Sequence, residues 1–409
     1  MLQELALACP CAAADVQVTA NADSGVSTSS LLFQLASALW AVAVVPLSLL
    51  LLVVARTWDG RLFAVAALLT GLGPFVIASA WVTKRGLWRR LAAYSGAVWL
   101  ITACIVLWSA PAGPSSTKGR VAHVYADGRT KLQRYALGNL LPEVDQLMLG
   151  FTIMPAFDSL LTNSQASRLK GVTAAVYAEM DRDPDFRALG SVMPEAYDEI
   201  LGLPFDRGHC YVYVPARVDR SQPSPVLVFF HGSGGCFKGY LWVLSKVADR
   251  VGCIVVAPSH GCGNWQAAES ETALQNALAC ASRLAAVDRH RIHLAGLSNG
   301  GLAVSQLAGA EGSQFRSLIF LSPVFDTAEI SRRSFGEQCH GQAVFVMTGE
   351  RDDRMPLDYV GGNIAEMARA DVAARLRTVS DADHFLVFSH RALVIDSLDA
   401  WLQENSGGK

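Results

Sequence analysis

The 409-residue chain is 51% hydrophobic and only 17% charged, with a formal net charge of −2. It is rich in apolar and poor in ionic side chains for a soluble enzyme, which directs attention to a membrane portion. No whole-chain basic field, zinc-finger motif or RNA-binding motif is present, so nucleic acid is excluded as an expected partner. The length allows one large core plus something smaller.

Residues 1–30 form an N-terminal tail without Lys or Arg. It lacks the basic start of a secretory leader, and the first long apolar run begins well inside the chain, so no cleavable signal is expected. Apolar runs at 31–55, 62–82 and 91–110 contain no Asp, Glu, Lys or Arg. Each reaches the ~20 residues that a bilayer-crossing helix needs, and helices are expected despite Pro46 and Pro74 because lipid leaves no other partner for backbone amides. Several of Trp40, Trp58, Trp81, Trp88, Trp99 and Trp108 fall near the ends of the runs, where indoles favour the headgroup layer. Spans without ionisable groups suit a three-helix anchor (31–110) rather than a channel or transporter. Lys84, Arg85, Arg89 and Arg90 favour a cytoplasmic second connection and so an extracytoplasmic C-terminal part. Arg56, Arg61, Lys118, Arg120 and Arg129 weigh the other way.

The Pro/Gly/Ser-rich stretch 111–119 reads as a linker. A pre-domain or cap-like region is expected over 120–204. It opens with VAHVYADGRTKLQRYAL, whose alternation around Asp127-Gly128 predicts a short β-ribbon. Farther on, Leu147, Met148, Leu149, Phe151, Ile153, Met154 and Phe157 make a dense apolar patch. Ordinary packing against the main sheet is the preferred reading, with a cap or membrane-facing surface as the alternative.

From 205 to 409 short β-rich runs alternate with helix-length segments: HCYVYV, VLVFFHG, CIVVAPS, RIHLAG, SLIFLSP, AVFVMTG and RLRTVSD. This pattern predicts an α/β domain with a mostly parallel sheet and helices on both faces, whose ligand site opens at the carboxyl ends of the strands. Nine cysteines lack C-x-x-C spacing, so neither a metal site nor a redox motif is expected. Cys210, Cys236, Cys253, Cys262, Cys280 and Cys339 are even in number and suit either disulfides after export or buried thiols.

The strongest motif is GLSNG, Gly296 to Gly300, between a predicted strand and a predicted helix. A nucleophile on such a sharp turn needs small neighbours, which makes Ser298 the candidate. A serine hydroxyl needs a base; among the nine histidines, His384 in DADHF follows the last predicted strand. His290 and His293 belong to the strand leading to the turn, His390 falls in the following helix, and His123 and His340 lack strand-end context. Asp352 and Asp353 both follow AVFVMTG and are candidates to orient the histidine, with Asp326 a lesser one. HGSGG, His231 to Gly235, is a glycine-rich turn suited to an oxyanion hole. The backbone N–H groups of Ser233 and Asn299 are the expected donors, with Gly232 able to replace Ser233.

Together HGSGG, APSHGCGNW, DRHRIHLAGLSNGG, TGERDDRMP and DADHF resemble the α/β-hydrolase superfamily. The likeness is strongest to its poly(3-hydroxybutyrate) depolymerase-like, feruloyl-esterase-like and dienelactone-hydrolase-like members, over roughly residues 205–405. The family's G-x-x-D with a later proline places Gly349, Asp352 and Pro356 in register, which favours Asp352 over Asp353. The resemblance implies ester hydrolysis through an acyl-enzyme, less often amide hydrolysis, without metal or organic cofactor. It also implies that His260, Cys262 and Trp265 line the substrate pocket, although a tight turn would account for them equally. No polymer-binding module is seen, and the three spans are foreign to the secreted depolymerase pattern. The resulting expectation is a membrane-anchored carboxylesterase acting on small or lipid-like esters. A peptidase or acyltransferase on the same core and an inactive hydrolase-fold scaffold are the alternatives.

Overall fold

The computed structural model describes residues 28–83, 86–113 and 120–406. The tail with Cys9 and Cys11, the basic pair Lys84 and Arg85, and most of the expected linker including Lys118 lie outside the described residues.

Helices α1 (Thr28–Val54), α2 (Trp58–Thr83) and α3 (Gly86–Ser109) come first. All three are long and apolar enough to cross a membrane, and Pro46 and Pro74 lie inside helices without ending them. Apolar side chains such as Val42 and Val53 stay exposed. Trp40 and Trp99 donate their indole N–H to the carbonyl and hydroxyl of Thr70 at 3.1 and 2.8 Å, cross-links between helices that need no water.

The remainder is built on one eight-stranded sheet in the order β1-β2-β4-β3-β5-β6-β7-β8. Its strands are β1 (Val121–Tyr125), β2 (His209–Tyr213), β3 (Ser224–Phe230), β4 (Ile254–Pro258), β5 (Val287–Leu297), β6 (Ser317–Leu321), β7 (Ala343–Gly349) and β8 (Ala374–Val379). β2 alone runs against the others. This is the α/β-hydrolase fold. All seven predicted runs are strands of the sheet. The turn at Asp127-Gly128 forms, with Tyr125 N–H donating to Arg129 O and Lys131 N–H to His123 O, each at 2.8 Å, and Val124 bridges Thr130 in antiparallel fashion, a very short ribbon as expected. β1 also pairs with β2, Val121 opposite Tyr213, so the sheet begins well before residue 205.

Four helices carry the chain from β1 toward β2: α4 (Leu137–Leu140), α5 (Glu143–Ile153), α6 (Asn163–Met180) and α7 (Pro184–Ala188), with α8 (Met193–Ile200) completing the passage. Then α9 (Lys238–Val251) follows β3, α10 (Ala267–Leu284) follows β4, and α11 (Gly300–Glu311) follows β5. After β6 come α12 (Thr327–Ile330) and α13 (Arg333–Cys339); α14 (Leu357–Arg369) follows β7, and α15 (Leu386–Ser389) with α16 (Arg391–Ser406) closes the chain.

Alternate strand residues point to opposite faces, and both faces are buried. Tyr211, Leu227, Val255, Ala295, Ile319 and Phe345 join the core shared with α5, α6, α9 and α16. Val212, Val226, Val256, Leu294, Phe320 and Val344 join the core shared with α10, α11 and α13. The six cysteines of this part are free thiols, five of them buried and Cys262 half-buried.

Candidate active site

β5 ends at Leu297 and α11 begins at Gly300, so Ser298 and Asn299 must reverse the chain between them. Ser298 adopts a left-handed φ of 49°, which is strained for a residue with a Cβ. The surroundings hold it there: its N–H donates to Leu321 O at 3.0 Å, and its carbonyl accepts from Gly301 and Val324, each at 2.9 Å. A Cβ at Gly296 would collide with the Gly300 carbonyl, and one at Gly300 with the Phe230 carbonyl. Hence the small residues on either side of the serine.

β7 and β8 bring the other two candidates to the same carboxyl end of the sheet. His384 Nε2 lies 2.9 Å from Ser298 Oγ, while Nδ1 lies 3.1 and 3.0 Å from the two carboxylate oxygens of Asp352. Asp352 is buried at 3% exposure and accepts the N–H groups of Arg354 and Met355 at 3.1 and 2.9 Å. These bonds fix the carboxylate toward the imidazole. Asp353 points to solvent. Asp326 caps α12 instead, accepting from the Glu329 N–H at 3.0 Å and Gln306 Nε2 at 3.2 Å.

The glycine-rich turn after β3 reaches the serine from the opposite side. Gly232 approaches so closely that a Cβ there would lie 3.0 Å from Ser298 Cβ. Asn299 Nδ2 donates to Ser233 Oγ at 2.8 Å, and among the described residues no backbone carbonyl accepts the main-chain N–H of Ser233 or Asn299.

His231 supports this turn from within. Its Nδ1 must carry the proton, because it faces the Gly232 carbonyl at 2.8 Å, and its Nε2 accepts the His260 N–H at 3.1 Å. Burial lowers its pKa to about 4, so the ring is neutral at physiological pH.

His260 and Trp265 do not line the cavity at Ser298, contrary to expectation. The two rings stack 4.6 Å apart behind the turn, where Trp265 Nε1 donates to the His231 carbonyl at 2.9 Å. The His260 ring pairs with Glu269 at 3.2 Å. Cys262 turns toward α8, its N–H bound by Glu199. These aromatic residues after β4 brace the glycine-rich turn that follows β3.

The cavity above Ser298 has a volume of about 420 Å³. Its wall comes largely from residues for which sequence reasoning named no role in the site, among them Leu169, Met193, Phe237 and Phe388. The apolar patch of α5 divides its work. Leu147, Phe151 and Met154 line the cavity, Leu147 and Phe151 joining Met148 in the sheet core as well, while Leu149 packs toward α1 and α2 and Phe157 is 87% exposed. Packing against the sheet, the preferred reading, therefore describes only part of it.

Polar wall residues are few. Gln146 donates to the Gly138 and Leu141 carbonyls at 2.7 and 2.6 Å and accepts from the Tyr197 hydroxyl. Arg354 forms an ion pair with Asp158. Burial raises the Asp158 pKa, but the hydrogen bond from Arg354 and the N–H of Leu160 prevail and hold the carboxyl below its ordinary value. The motif TGERDDRMP contains Arg354, yet nothing local indicates its distant partner.

No family model matches the chain, and no curated protein matches it. Among solved structures, it is similar to a hyperthermophilic esterase from the archaeon Pyrobaculum calidifontis. That alignment has 18% identity and a TM-score of 0.39, and covers 49% of this chain and 82% of that one. It is likewise similar to Thermogutta terrifontis esterase 2 phosphonylated by cyclosarin, with 17% identity and a TM-score of 0.39, over 48% of this chain and 88% of that one.

Proposed function

We propose that the protein is a membrane-anchored serine hydrolase that cleaves a carboxylic ester through an acyl-enzyme. The observation that carries this reading is the bridging position of His384, 2.9 Å from Ser298 Oγ on one side and 3.0 Å from Asp352 on the other. A carboxylate at Nδ1 keeps the proton on that nitrogen, so the Nε2 lone pair faces the serine hydroxyl. Ser298 Oγ attacks the ester carbonyl as its proton passes to Nε2, and Asp352 stabilises the imidazolium. The N–H groups of Ser233 and Asn299 donate to the oxyanion. The alcohol departs with the proton from Nε2. Water then attacks the acyl carbon as its proton passes to the same nitrogen, and the bond to Ser298 Oγ breaks as that proton returns to the serine, releasing the acid. The substrate is a small-molecule or lipid-like ester, and none of these steps requires a cofactor.

The three spans hold the catalytic part at the bilayer, on the extracytoplasmic side by the charge of the second connection. A reporter fused to the C-terminus, active only outside the cytoplasm, tests the side. Labelling of the purified protein by a fluorophosphonate probe, compared with Ser298→Ala, tests the chemistry. Labelling of the native protein alone is expected. Equal labelling of both, or of neither, would remove the proposal in favour of a scaffold.

A further inference from the structure

Helix α5 touches the spans with one face and the cavity with another. Asp145 accepts the backbone N–H groups of Arg56 and Thr57, at 2.6 and 3.3 Å, in the turn between α1 and α2. One helical turn later, Leu149 joins Leu52 and Phe63 against Leu51, Ala55, Ala64 and Leu141. Leu51 and Leu52 belong to the apolar stretch of α1 before that turn, and Phe63 to the stretch of α2 after it. The course from Asp145 to Leu149 thus leads away from the polar end of the spans and down alongside them. At about 1.5 Å per residue, Leu149 lies about 6 Å along this course and Ile153 about 12 Å.

Beyond Leu149 lies a group of exposed apolar side chains, interrupted by the Asp158–Arg354 ion pair and by Lys170, which donates to the Thr152 hydroxyl. Ile153, Met154, Phe157 and Leu160 are 38%, 36%, 87% and 46% exposed, and Ile200 and Leu201 on the facing lip are each 70% exposed. Met154 and Ile200 also line the cavity above Ser298. Such a collar around a pocket mouth is unfavourable in water and favourable among acyl chains.

We propose that this collar is seated in the bilayer and that the cavity takes its substrate sideways from the membrane: a bilayer-resident ester of a long-chain fatty acid. The acyl chain lies along Leu147, Phe151 and Leu169. The substrate assignment rests on the hydrolase reading of Ser298, whereas the seating of the collar does not.

The test uses the full chain in phosphatidylcholine nanodiscs. Phe157 and Leu201 are outside the cavity wall, so the double variant Phe157→Asp/Leu201→Asp leaves the reacting groups untouched. Its hydrolysis of 4-methylumbelliferyl palmitate held in the disc is expected to fall about tenfold or more, with hydrolysis of water-soluble 4-methylumbelliferyl acetate and fluorophosphonate labelling within about twofold of the unaltered chain. Equal loss on both esters, or no loss on either, overturns the proposal. Absence of any Ser298-dependent turnover overturns the hydrolase reading and the substrate assignment with it. The collar is then decided by Phe157→Trp: its added emission should be quenched by lipids brominated on the acyl chain, and unquenched emission places the collar in water.

Discussion

The side-chain amide of Asn299 donates to the hydroxyl of Ser233 at 2.8 Å, tying the residue after Ser298 to the turn that faces it across the site. In the proposed mechanism this bond sets the spacing of two oxyanion donors. Asn299→Ala should lower kcat about 3- to 10-fold, the worth of one modest hydrogen bond, with KM little changed. Steady-state kinetics on p-nitrophenyl butyrate checks this, and a change confined to KM would contradict it.

Asp352 and Asp353 are neighbours with different surroundings, one buried against His384 and one in solvent. Asp352→Asn should reduce kcat by about 10³- to 10⁴-fold through the wrong histidine tautomer, whereas Asp353→Asn should stay within about twofold. Comparable losses in both variants would refute the assignment of Asp352.

Trp265 packs its ring against that of His231 at 5.2 Å and donates its indole N–H to the His231 carbonyl. Trp265→Phe keeps the ring against His260 but leaves that buried oxygen without its donor, a loss of about 1–3 kcal/mol in stability. Chemical denaturation in detergent measures it. An unchanged midpoint would mean that the indole N–H contributes nothing.

Burial lowers His231 and His293 to about 4 and His209 to about 3, and pushes His123 well below the ordinary value of 6.5. The unfolded chain therefore binds more protons than the folded one below pH 6.5. Stability is complete above that value and is lost as the pH falls toward 4, by about 1 kcal/mol per pH unit for each histidine. Thermal midpoints between pH 7.5 and 4.5 should fall accordingly, and His293→Gln should flatten the slope by one histidine's share. A flat profile in the native protein would be incompatible with these neutral buried rings.

The elbow at Ser298 could be read from the sequence because its constraint is local: glycines must flank a serine wherever strand and helix meet so tightly. His384 and Asp352 could be placed at strand ends because the strands themselves were strongly patterned. The edge strand β1 was not legible as part of the sheet, since its pairing of Val121 with Tyr213 joins residues far apart along the chain and no local pattern encodes it. Leu147, Met148 and Leu149 show a different limit. Consecutive helical residues point in different directions, so three adjacent apolar side chains meet the cavity, the sheet and the pair α1 and α2, and composition alone cannot assign the neighbours. His260 and Trp265 stand where pocket residues commonly stand, but they turn inward to each other.

Val54, at the end of α1, packs into the same apolar core as Leu147 and Phe151, and Asp145 closes the turn that follows it. The N-terminal helices are consequently a piece of masonry in the sheet-bearing part rather than a cord from which that part hangs. A recombinant fragment trimmed to start at residue 120 should therefore uncover Leu141 and Leu149 and self-associate, which size-exclusion chromatography checks.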